Sequence, residues 1–328
     1  MRVLVTGGAG FIGSHLVDAH VAKGDEVVVL DDLSTGRLEN IGQHVAAGRV
    51  RFHQGKAEDP AALDAVFSDV DLVYHLAAAV GVFQILRNPL QSIRTNLDAS
   101  SAVFERAAEA GVRTVFTSTS EVYGKNDADA LKESDDTTYG STKVSRWLYA
   151  VSKATDEFLA LAYHQKRGLP VSVVRLFNAT GPRQTGAYGM VMPRFVRQAI
   201  EGKPLTVYGD GNQLRCFTNV QDVVAALMAL VTTPAAIGDV VNVGNPREIS
   251  IRDLAQLVRT LVGSDSPIEY QGYELAYGRG FEDMRRRVPD VSRLRSLIGF
   301  VPTTPLEVTI GEIAQEISAG RRENETSG

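Results

Sequence analysis

Short apolar runs alternate along the chain with longer segments in which apolar residues recur at helical spacing. The apolar runs predict strands at residues 2–6, 26–30, 50–54, 71–76, 112–117 and 170–176. Between them, the helical spacing predicts helices at 11–22, 92–110 and 146–167. Strands that alternate with helices form a parallel sheet covered on both faces. The pattern therefore predicts an α/β fold with a Rossmann-type, doubly wound parallel sheet.

The pattern changes after residue 176, where elements become shorter and loops richer in Gly, Pro and Arg. Here the sequence predicts helices at 189–201, 221–232, 250–262 and 304–318, and a strand at 205–208. We expect residues 1–176 to form the first domain and residues 177–328 mainly a smaller α/β domain that holds the substrate. Segments near 216–243 would return to the first domain. The polar tail from about residue 320 is expected to be disordered.

Composition and charge narrow the class of protein. The chain has 328 residues, 44% of them hydrophobic, and a net charge of -5 with both signs mixed along it, so nothing predicts binding to nucleic acid or to a membrane surface. Cys216 is the single cysteine, which excludes an internal disulfide and fits a cytoplasmic protein. The six scattered histidines predict no metal site. Neither a secretion signal nor an apolar run of about 20 residues is present.

Three glycines follow the first predicted strand and open the first predicted helix. They are Gly7, Gly10 and Gly13, in TGGAGFIG at 6–13. The first permits a tight turn, the second lets backbone N–H groups approach a pyrophosphate, and the third lets the helix pack close to the sheet. Unpaired N–H groups at the helix N-terminus then favour the phosphates. This context predicts a dinucleotide site.

Two acidic residues end the second predicted strand. A carboxylate at Asp31 would bind both hydroxyls of an adenosine ribose and repel a 2′-phosphate, which favours NAD over NADP. Arg37 lies close enough in sequence to keep NADP open as an alternative. Asp32 either joins the cofactor site or caps the loop.

Together these motifs resemble the extended short-chain dehydrogenase/reductase family over nearly the whole chain. The matching segments are TGGAGFIG at 6–13, HLAA at 75–78, STSEVYG at 118–124 and Tyr149-x-x-x-Lys153. The resemblance implies that NAD is also contacted by Phe11, Ile12, Leu76, Ala77, Ala78, Asn96, Tyr149 and Lys153. In such enzymes Asn96 would support the proton path.

A tyrosine and a lysine four residues apart share one face of a helix. Lys153 could therefore lower the pKa of the Tyr149 phenol, making it a usable base, and hold the nicotinamide ribose. Thr119 would share the hydrogen bond to the sugar hydroxyl that loses its proton. Tyr139 and Lys143 have the same spacing, but their polar surroundings predict a loop, so the sequence favours Tyr149.

The residue at position 121 bears on the reaction. In the family, 4-epimerases often have a small or apolar residue there, whereas 4,6-dehydratases and UDP-glucuronate decarboxylases commonly have the glutamate found here. Segments 145–153, 215–222, 242–246 and 277–290 are similar to UDP-glucuronate decarboxylases and UDP-apiose/UDP-xylose synthases. The resemblance implies that Arg287 meets the substrate and that Ser120 contacts its carboxylate. Glu121 would repel that carboxylate or be protonated, and both alternatives stay open.

The same resemblance assigns residues to the nucleotide. Leu205 and Tyr208 would lie near the base, and Asn178 and Arg215 near the diphosphate. Arg183 is a further candidate, and Arg194 is a weaker one. The chain departs from its relatives at three places, which are Phe281 in place of a tyrosine, Lys56 in place of an acid, and the loop 125–144.

The leading hypothesis is a UDP-glucuronate decarboxylase that holds NAD and gives UDP-xylose or the UDP-4-keto-pentose. Its alternatives are a UDP-sugar 4-epimerase acting on UDP-glucose or UDP-glucuronate, and a nucleotide-sugar 4,6-dehydratase. A non-catalytic NAD-binding sensor on the same fold is the alternative from a different class. The resemblance also implies a homodimer that packs through the helices 92–110 and 146–167.

Overall fold

The computed structural model describes residues 1–79, 88–186, 190–274 and 284–326, with side chains as far as Gly320. In these ranges the strands are β1 (Arg2–Thr6), β2 (Glu26–Asp31), β3 (Val50–Gln54), β4 (Leu72–His75), β5 (Arg113–Thr119), β6 (Val171–Leu176), β7 (Ala179–Thr180), β8 (Leu205–Tyr208), β9 (Leu214–Cys216), β10 (Thr218–Asn219), β11 (Asp239–Val243), β12 (Glu248–Ser250) and β13 (Ile268–Gln271). The α-helices are α1 (Phe11–Lys23), α2 (Gly42–Ala46), α3 (Pro60–Val66), α4 (Pro89–Ala110), α5 (Leu148–Arg167), α6 (Val191–Ile200), α7 (Val220–Val231), α8 (Ile251–Val262), α9 (Ser292–Ile298) and α10 (Leu306–Thr326). The departure at Phe281 lies outside the described residues.

Seven parallel strands form the main sheet in the order β11-β6-β5-β4-β1-β2-β3. The chain starts in the interior of the sheet at β1, which pairs with β2 on one side and with β4 on the other. The strand order therefore reverses between β1 and β4, and a crevice opens there at the carboxyl ends of the strands. This topology confirms the predicted doubly wound fold.

Branched apolar residues explain why these segments form interior strands. Val3, Leu4 and Val5 of β1 are fully buried, as are the three consecutive valines of β2. Side chains of a strand point alternately to the two faces of the sheet, so a continuous apolar run requires cover on both. One apolar cluster includes Val3 and Val5, and a second includes Leu4.

The segment after β10 returns to the sheet. Helix α7 packs against α1 and against β5 and β6, and β11 then joins the edge of the sheet beside β6. One side edge of the sheet is thus formed by a strand from late in the chain. This return places the loops after β6 and β11 next to each other.

A second apolar core holds the C-terminal elements together. Met192 and Phe195 of α6 pack with Leu254 of α8 and Ile310 of α10, next to Leu205 of β8. Helix α8 begins with a side-chain cap, because Ser250 accepts a hydrogen bond from the backbone N–H of Asp253 at 3.0 Å. This core carries the residues that close the crevice on the side opposite the sheet.

The C-terminal tail differs from the expectation of disorder. Helix α10 continues as far as Thr326, well beyond the predicted end at residue 318. Helix elongation adds one hydrogen bond per residue once a nucleus exists, so an established helix can extend into a polar segment. Along the described ranges, no helix has both the length and the apolar character needed to cross a membrane.

Candidate active site

A single elongated cavity of about 750 Å³ connects the carboxyl edge of the sheet with the second core. At one end it is lined by the turn after β1, including Gly7 and Gly10, and by Asp31 at the end of β2. Thr119 and Tyr149 line its middle, and Arg287 lies among the residues of the other end. We call the first end the cofactor half and the other end the sugar half.

The turn at Gly7 and Gly13 has no space for side chains at these two positions. Gly7 has a φ of +73°, and a Cβ on it would lie 2.8 Å from the backbone nitrogen of Ala77. A Cβ on Gly13 would overlap with the carbonyl oxygen of Gly7. Helix α1 has Gly10 as its N-cap, with no side chain bonded to the first N–H groups. These groups therefore remain available to a phosphate at the cavity wall.

The carboxylate of Asp31 stands at the far end of the cofactor half. One oxygen accepts a hydrogen bond from the N–H of Ala9 and the other from the N–H of Leu33, each at 2.9 Å. Burial raises the pKa of Asp31, against the effect of these backbone donors. Its carboxylate oxygens line the cavity and can accept further hydrogen bonds from two ribose hydroxyls. Asp32 also lines the cavity and accepts from the N–H of Ser34 at 2.9 Å, which caps the loop.

These features match the parts of NAD. Backbone N–H groups face the position of a pyrophosphate, and a carboxylate faces the position of a ribose. The residues of the predicted cofactor set that line the cavity are Gly7, Gly10, Phe11, Ile12, Gly13, Asp31, Asp32, Leu76, Ala77, Ala78 and Tyr149. The chain's own residues therefore fit the dinucleotide.

Asn96 departs from its predicted place in the cofactor set. Its amide oxygen accepts from the N–H of Ala79 at 2.8 Å, and its amide nitrogen donates to the hydroxyl of Ser152 at 3.3 Å. The side chain is 1% exposed and is absent from the residues that line the cavity. Asn96 thus ties the loop after β4 to α5 from behind the cavity wall.

Tyr149 lies in the first turn of α5 and lines the cavity beside Thr119. The short helical turn Ser145–Trp147 precedes it, and the Trp147 side chain is only 2% exposed, which anchors the start of α5. Burial raises the pKa of the Tyr149 phenol, and the negative charges of Glu121 and Asp156 raise it further. Burial and the two carboxylates thus dominate this pKa in the cofactor-free chain, and its lowering by Lys153 together with the oxidised nicotinamide stays a prediction.

Lys153 shares a helix with Tyr149 but does not line the cavity. Its ammonium nitrogen lies 3.6 Å from a carboxylate oxygen of Asp156 and 4.0 Å from the centroid of the Phe116 ring. The side chain is 2% exposed. Burial lowers the pKa of Lys153, while Asp156 and Glu157 oppose this effect. The predicted ribose contact would require the ammonium to move toward the cavity.

The second tyrosine and lysine pair lies elsewhere. Tyr139 sits in a loop, and its hydroxyl donates to the carbonyl of Val122 at 2.8 Å. Lys143 is exposed, and neither residue lines the cavity. The helical context that favoured Tyr149 thus distinguishes the two pairs in the structure as well.

The end of β5 turns directly into a short helix that presents three polar residues to the cavity. They are Thr119, Ser120 and Glu121, and each lines it. The hydroxyl of Thr119 accepts from the backbone N–H of Glu121 at 3.2 Å, which caps the turn. This cap fixes the Glu121 side chain at the entrance to the sugar half.

Glu121 lies between two arginines. The guanidinium of Arg146 is 2.5 Å from one carboxylate oxygen, and that of Arg287 contacts the other oxygen. Arg287 also donates to the side-chain oxygen of Asn178 at 2.5 Å. Burial alone would raise the pKa of Glu121, but the two arginines outweigh it and hold the pKa well below its usual range. Glu121 is therefore ionised in the chain without ligands, which favours the alternative that it repels the substrate carboxylate, and the three side chains together carry net positive charge.

Arg146 is a site residue that the sequence analysis missed. It is 7% exposed and lines the cavity from the turn that precedes α5. A usable signal was present, because Arg146 stands three residues before Tyr149, and residues three apart share a helix face. The segment 145–153 had been noted only for its resemblance.

The far wall of the sugar half contains part of the predicted nucleotide set. Asn178, Tyr208 and Arg215 line the cavity, and Asn178 adopts a φ of 37°, which asparagine tolerates better than most residues. Arg194 lines it too, with its guanidinium 4.3 Å from the centroid of the Tyr208 ring. Cation and ring together form a flat surface beside the cavity.

The structure places two residues of the predicted nucleotide set outside the cavity lining. The side chain of Leu205 is fully buried in the second apolar core, where its apolar neighbours exclude it from the cavity. Arg183 points away from the cavity and pairs with Asp18 at 2.8 Å, while its backbone N–H donates to Glu316. Arg183 thus connects α1 with α10 instead of contacting substrate.

The single cysteine does not line the cavity. The thiol of Cys216 is fully buried, and burial raises its pKa to about 12. Throughout the described ranges, His, Cys, Asp and Glu form no group of three or more that could hold a metal ion.

A doubly wound sheet with a dinucleotide site, a catalytic tyrosine candidate and an adjoining polar half defines an NAD-dependent enzyme of the short-chain dehydrogenase/reductase class. The sequence model of the NAD dependent epimerase/dehydratase family matches residues 3–244, and the chain belongs to that family.

Known relatives include decarboxylases and an epimerase. The chain is 38% identical to a UDP-N-acetyl-alpha-D-glucosaminuronate decarboxylase from Bacillus cytotoxicus, over 96% of this chain and 97% of the relative. It is 36% identical to UDP-glucuronic acid decarboxylase 1 from Arabidopsis thaliana, over 93% of this chain and 67% of the relative. Among solved structures, a UDP-glucuronic acid 4-epimerase from Bacillus cereus in complex with UDP-glucuronic acid and NAD is similar with a TM-score of 0.86, at 28% identity, and the match covers 97% of this chain and 99% of that one.

Proposed function

We propose that this chain is an NAD-dependent decarboxylase of a UDP-linked hexuronic acid, with UDP-glucuronate as the first candidate substrate. The product would be UDP-xylose or the UDP-4-keto-pentose. The observation that carries the proposal is the ionised Glu121 held between Arg146 and Arg287, next to Tyr149. A net positive cluster at this point suits a substrate that brings its own carboxylate.

The reaction begins at the C4 hydroxyl of the sugar. NAD, when bound, accepts the hydride from C4. Tyr149 takes the hydroxyl proton, which requires that positive charge from Lys153 and the oxidised nicotinamide offsets the effect of burial on its pKa. Thr119 lines the cavity beside Tyr149 and can donate a hydrogen bond to the same oxygen.

A ketone at C4 makes the C6 carboxylate that of a β-keto acid. Breaking the C5–C6 bond releases carbon dioxide, and the electron pair of that bond moves toward the C4 oxygen as an enolate. Tyr149 and Thr119 can stabilise the charge on that oxygen by hydrogen bonding. A proton then adds to C5, which leaves a 4-keto-pentose. Return of the hydride to C4 would give UDP-xylose and restore oxidised NAD, whereas release of the ketone would leave the cofactor reduced, and a separate oxidant would be needed before the next turnover.

The arginine cluster would orient the carboxylate without neutralising it fully. Arg287 has planar N–H groups that can bind a carboxylate through two hydrogen bonds. Glu121 already compensates one of the two cations, so the substrate carboxylate meets about one unit of positive charge instead of two. This leaves the carboxylate oriented but not held so tightly that the loss of carbon dioxide is opposed.

The identity of the sugar is the finer part of the proposal. One relative is named for a substrate with an N-acetyl group and another for glucuronic acid, and the two substrates differ at C2. Both carry the C6 carboxylate on which the argument depends. UDP-glucuronate and UDP-N-acetylglucosaminuronate therefore belong in the same test.

The test is to incubate the purified protein with NAD and each of the two UDP-uronates and to measure released carbon dioxide. We expect gas and a UDP-pentose, identified by mass spectrometry. Formation of UDP-galacturonate without gas would select a 4-epimerase, and loss of water from a dTDP- or UDP-hexose would select a 4,6-dehydratase. Stable NAD binding with no turnover across a panel of nucleotide sugars would leave the non-catalytic sensor.

We also propose that the protein is a homodimer that packs through α4 and α5. These helices contact each other, and they carry exposed apolar residues, namely Leu90 on α4 and Val151 and Phe158 on α5. Light scattering should give twice the chain mass for the parent and a lower mass for Phe158→Glu. The matched change Leu261→Glu, at an exposed position of α8, should leave the dimer intact. A monomeric parent would contradict this proposal.

A further inference from the structure

Helix α5 carries a buried carboxylate, that of Asp156, which the proposed reaction does not use. Asp156 is fully buried, and it lies one helical turn beyond Lys153. One of its oxygens is 3.6 Å from the Lys153 ammonium nitrogen. A buried carboxylate is costly unless it is paired, so its presence beside a lysine of the candidate catalytic pair calls for a role.

The groups that surround this pair leave Asp156 as the counter-ion of Lys153. Glu157, the next residue on α5, is occupied by Arg175, which binds it through contacts of 2.7 to 3.2 Å. The carboxylate of Glu157 also accepts from the hydroxyl of Ser118 at 2.5 Å. Its charge is therefore compensated on the side of the sheet, whereas that of Asp156 faces the lysine.

Among the described residues, the groups that the other packed elements bring to this pair are uncharged. From α4, the hydroxyl of Ser100 faces Asp156, and behind it the His75 ring of β4 lies 3.3 Å from the same hydroxyl. Burial lowers the pKa of His75 to about 3, so this ring is neutral. From β5, the Phe116 ring covers the lysine. The pair thus sits between a neutral imidazole, a hydroxyl and an aromatic ring.

We propose that Asp156 is a positioning residue, whose carboxylate keeps Lys153 cationic inside the protein and sets where its ammonium lies, about one helical turn along α5 from Tyr149. This inference rests on the Tyr149 and Lys153 chemistry proposed above. A cationic lysine stabilises the phenolate form of Tyr149, and a neutral one does not. The charge of Asp156 itself raises the pKa of Tyr149, so its benefit to the phenolate comes only through the lysine. Burial lowers the pKa of Lys153 and so disfavours its charged form. The Asp156 carboxylate raises that pKa and offsets the effect of burial.

The kinetic test compares two variants. Asp156→Asn removes the negative charge and keeps a side chain of nearly the same size and shape, whereas Asp156→Glu keeps the negative charge. In the NAD-loaded enzyme, Lys153 of the Asn variant should lose its proton at lower pH than in the parent. An opposite charge at this distance is worth one or more pH units, so the ratio of kcat at pH 9 to kcat at pH 7 should fall about tenfold. Asp156→Glu should recover most of that ratio. Asp98→Asn, at an exposed position of α4, is the matched control and should keep the parent ratio.

A direct titration keeps the proposal testable if no sugar is turned over or if Asp156→Asn fails to fold. The ¹³Cε signal of Lys153, assigned through Lys153→Arg, is followed by NMR from pH 5 to pH 11 with and without NAD. In the parent it should respond when Asp156 titrates, since burial raises the pKa of Asp156 to about 6. A Lys153 signal without a step in that region, or a pH ratio unchanged in Asp156→Asn, would overturn the role of Asp156. If no sugar reacts but the step is present, the proposed decarboxylation fails and the pairing stands.

Discussion

The two halves of the cavity are built in different ways. The cofactor half is formed mainly by backbone groups and small residues at the carboxyl ends of β1 to β4, such as Gly7, Gly55 and Ala77, together with Asp31. The sugar half is formed by charged and polar side chains from four distant segments, at Glu121, Arg146, Asn178 and Arg287. One half is therefore defined by backbone conformation and the other by long-range charge pairing.

Because of this difference, different kinds of substitution should impair the two halves. In the cofactor half an added methyl group is the damaging change, because the backbone around Gly13 leaves no room for a Cβ. In the sugar half the loss of one charge is the damaging change, because Glu121 is held ionised by exactly the two arginines that border it among the described residues. Variants of the two halves should consequently separate cofactor binding from turnover.

The largest effect is expected where the halves meet. Tyr149→Phe removes the hydroxyl that exchanges the C4 proton, and kcat should fall about 10³-fold, within the range of general acid–base catalysis. Single-turnover assays would measure this loss, and calorimetry should find NAD affinity changed by less than about threefold. Tyr139→Phe is the matched control, because Tyr139 lies in a loop outside the cavity lining. Comparable losses in both variants would contradict the assignment of Tyr149.

The next largest effect belongs to the sugar half. Arg146→Gln leaves Glu121 with Arg287 as its remaining described ion-pair partner and removes the net positive charge of the cluster. Losing a charge-assisted hydrogen bond to the substrate carboxylate costs about 1.5 to 3 kcal/mol, so kcat/KM for the UDP-uronate should fall about 10- to 100-fold. NAD affinity should stay at the parent value, as should both quantities in Arg197→Gln at an exposed position of α6. Equal weakening of NAD binding would mean that the two halves are not separable.

The cofactor half was the more predictable of the two. Its glycine spacing, the strand before it and the acid after β2 are all local features, and each depends on conformations that few residues can adopt. The buried valines of β1 and β2 likewise predict interior strands of a parallel sheet. Asn96 does not line the cavity as expected, because a resemblance between sequences gives a residue's position along the chain and not the direction of its side chain.

The sugar half could be predicted only in part. Glu121 and Arg287 were found by resemblance, but their pairing joins residues 166 positions apart, and no local pattern encodes it. Leu205 failed for a related reason, since a strand alternates its side chains and one residue of register decides between core and cavity. Lys153 shares the predicted helix with Tyr149, yet its direction is set by Asp156 and Phe116, which the spacing rule ignores.

A steric variant should weaken the cofactor half specifically. In Gly13→Ala, the new methyl group meets the Gly7 carbonyl and pushes α1 away from the turn. Overpacking of this kind costs about 1 to 2 kcal/mol, so NAD affinity should fall about tenfold when measured by calorimetry. Gly42→Ala is the matched control, because a Cβ there has no neighbour within 4 Å. An unchanged NAD affinity in Gly13→Ala would show that the turn can relax and that backbone conformation does not define this half.

The smallest expected effect concerns pH and the support beneath the cofactor half. His75 is fully buried, and one ring nitrogen lies 2.8 Å from the hydroxyl of Thr6, which in turn accepts from the N–H of Ala77. Burial, and then the charge of Lys153, lower the pKa of His75 from 6.5 to about 3. The unfolded chain therefore takes up a proton below pH 6.5 that the folded chain does not, and the stability contributed at higher pH is lost as the pH falls toward 3.

The resulting change in the free energy of unfolding is about 1 kcal/mol between pH 6.5 and pH 5.5 for this one group. Urea unfolding of the NAD-free protein is measured at pH 6.5 and pH 5.5 for the parent and for His75→Gln. The difference between the two proteins gives the contribution of His75, because the other buried histidines contribute equally to both. Glu121 has a pKa far below this window, so the sugar half should keep its charge pairing while the support of the cofactor half weakens. If the free energy of unfolding changed equally with pH in the two proteins, His75 would not be held neutral. The cofactor half would then lack the neutral support that distinguishes it from the ionic cluster of the sugar half.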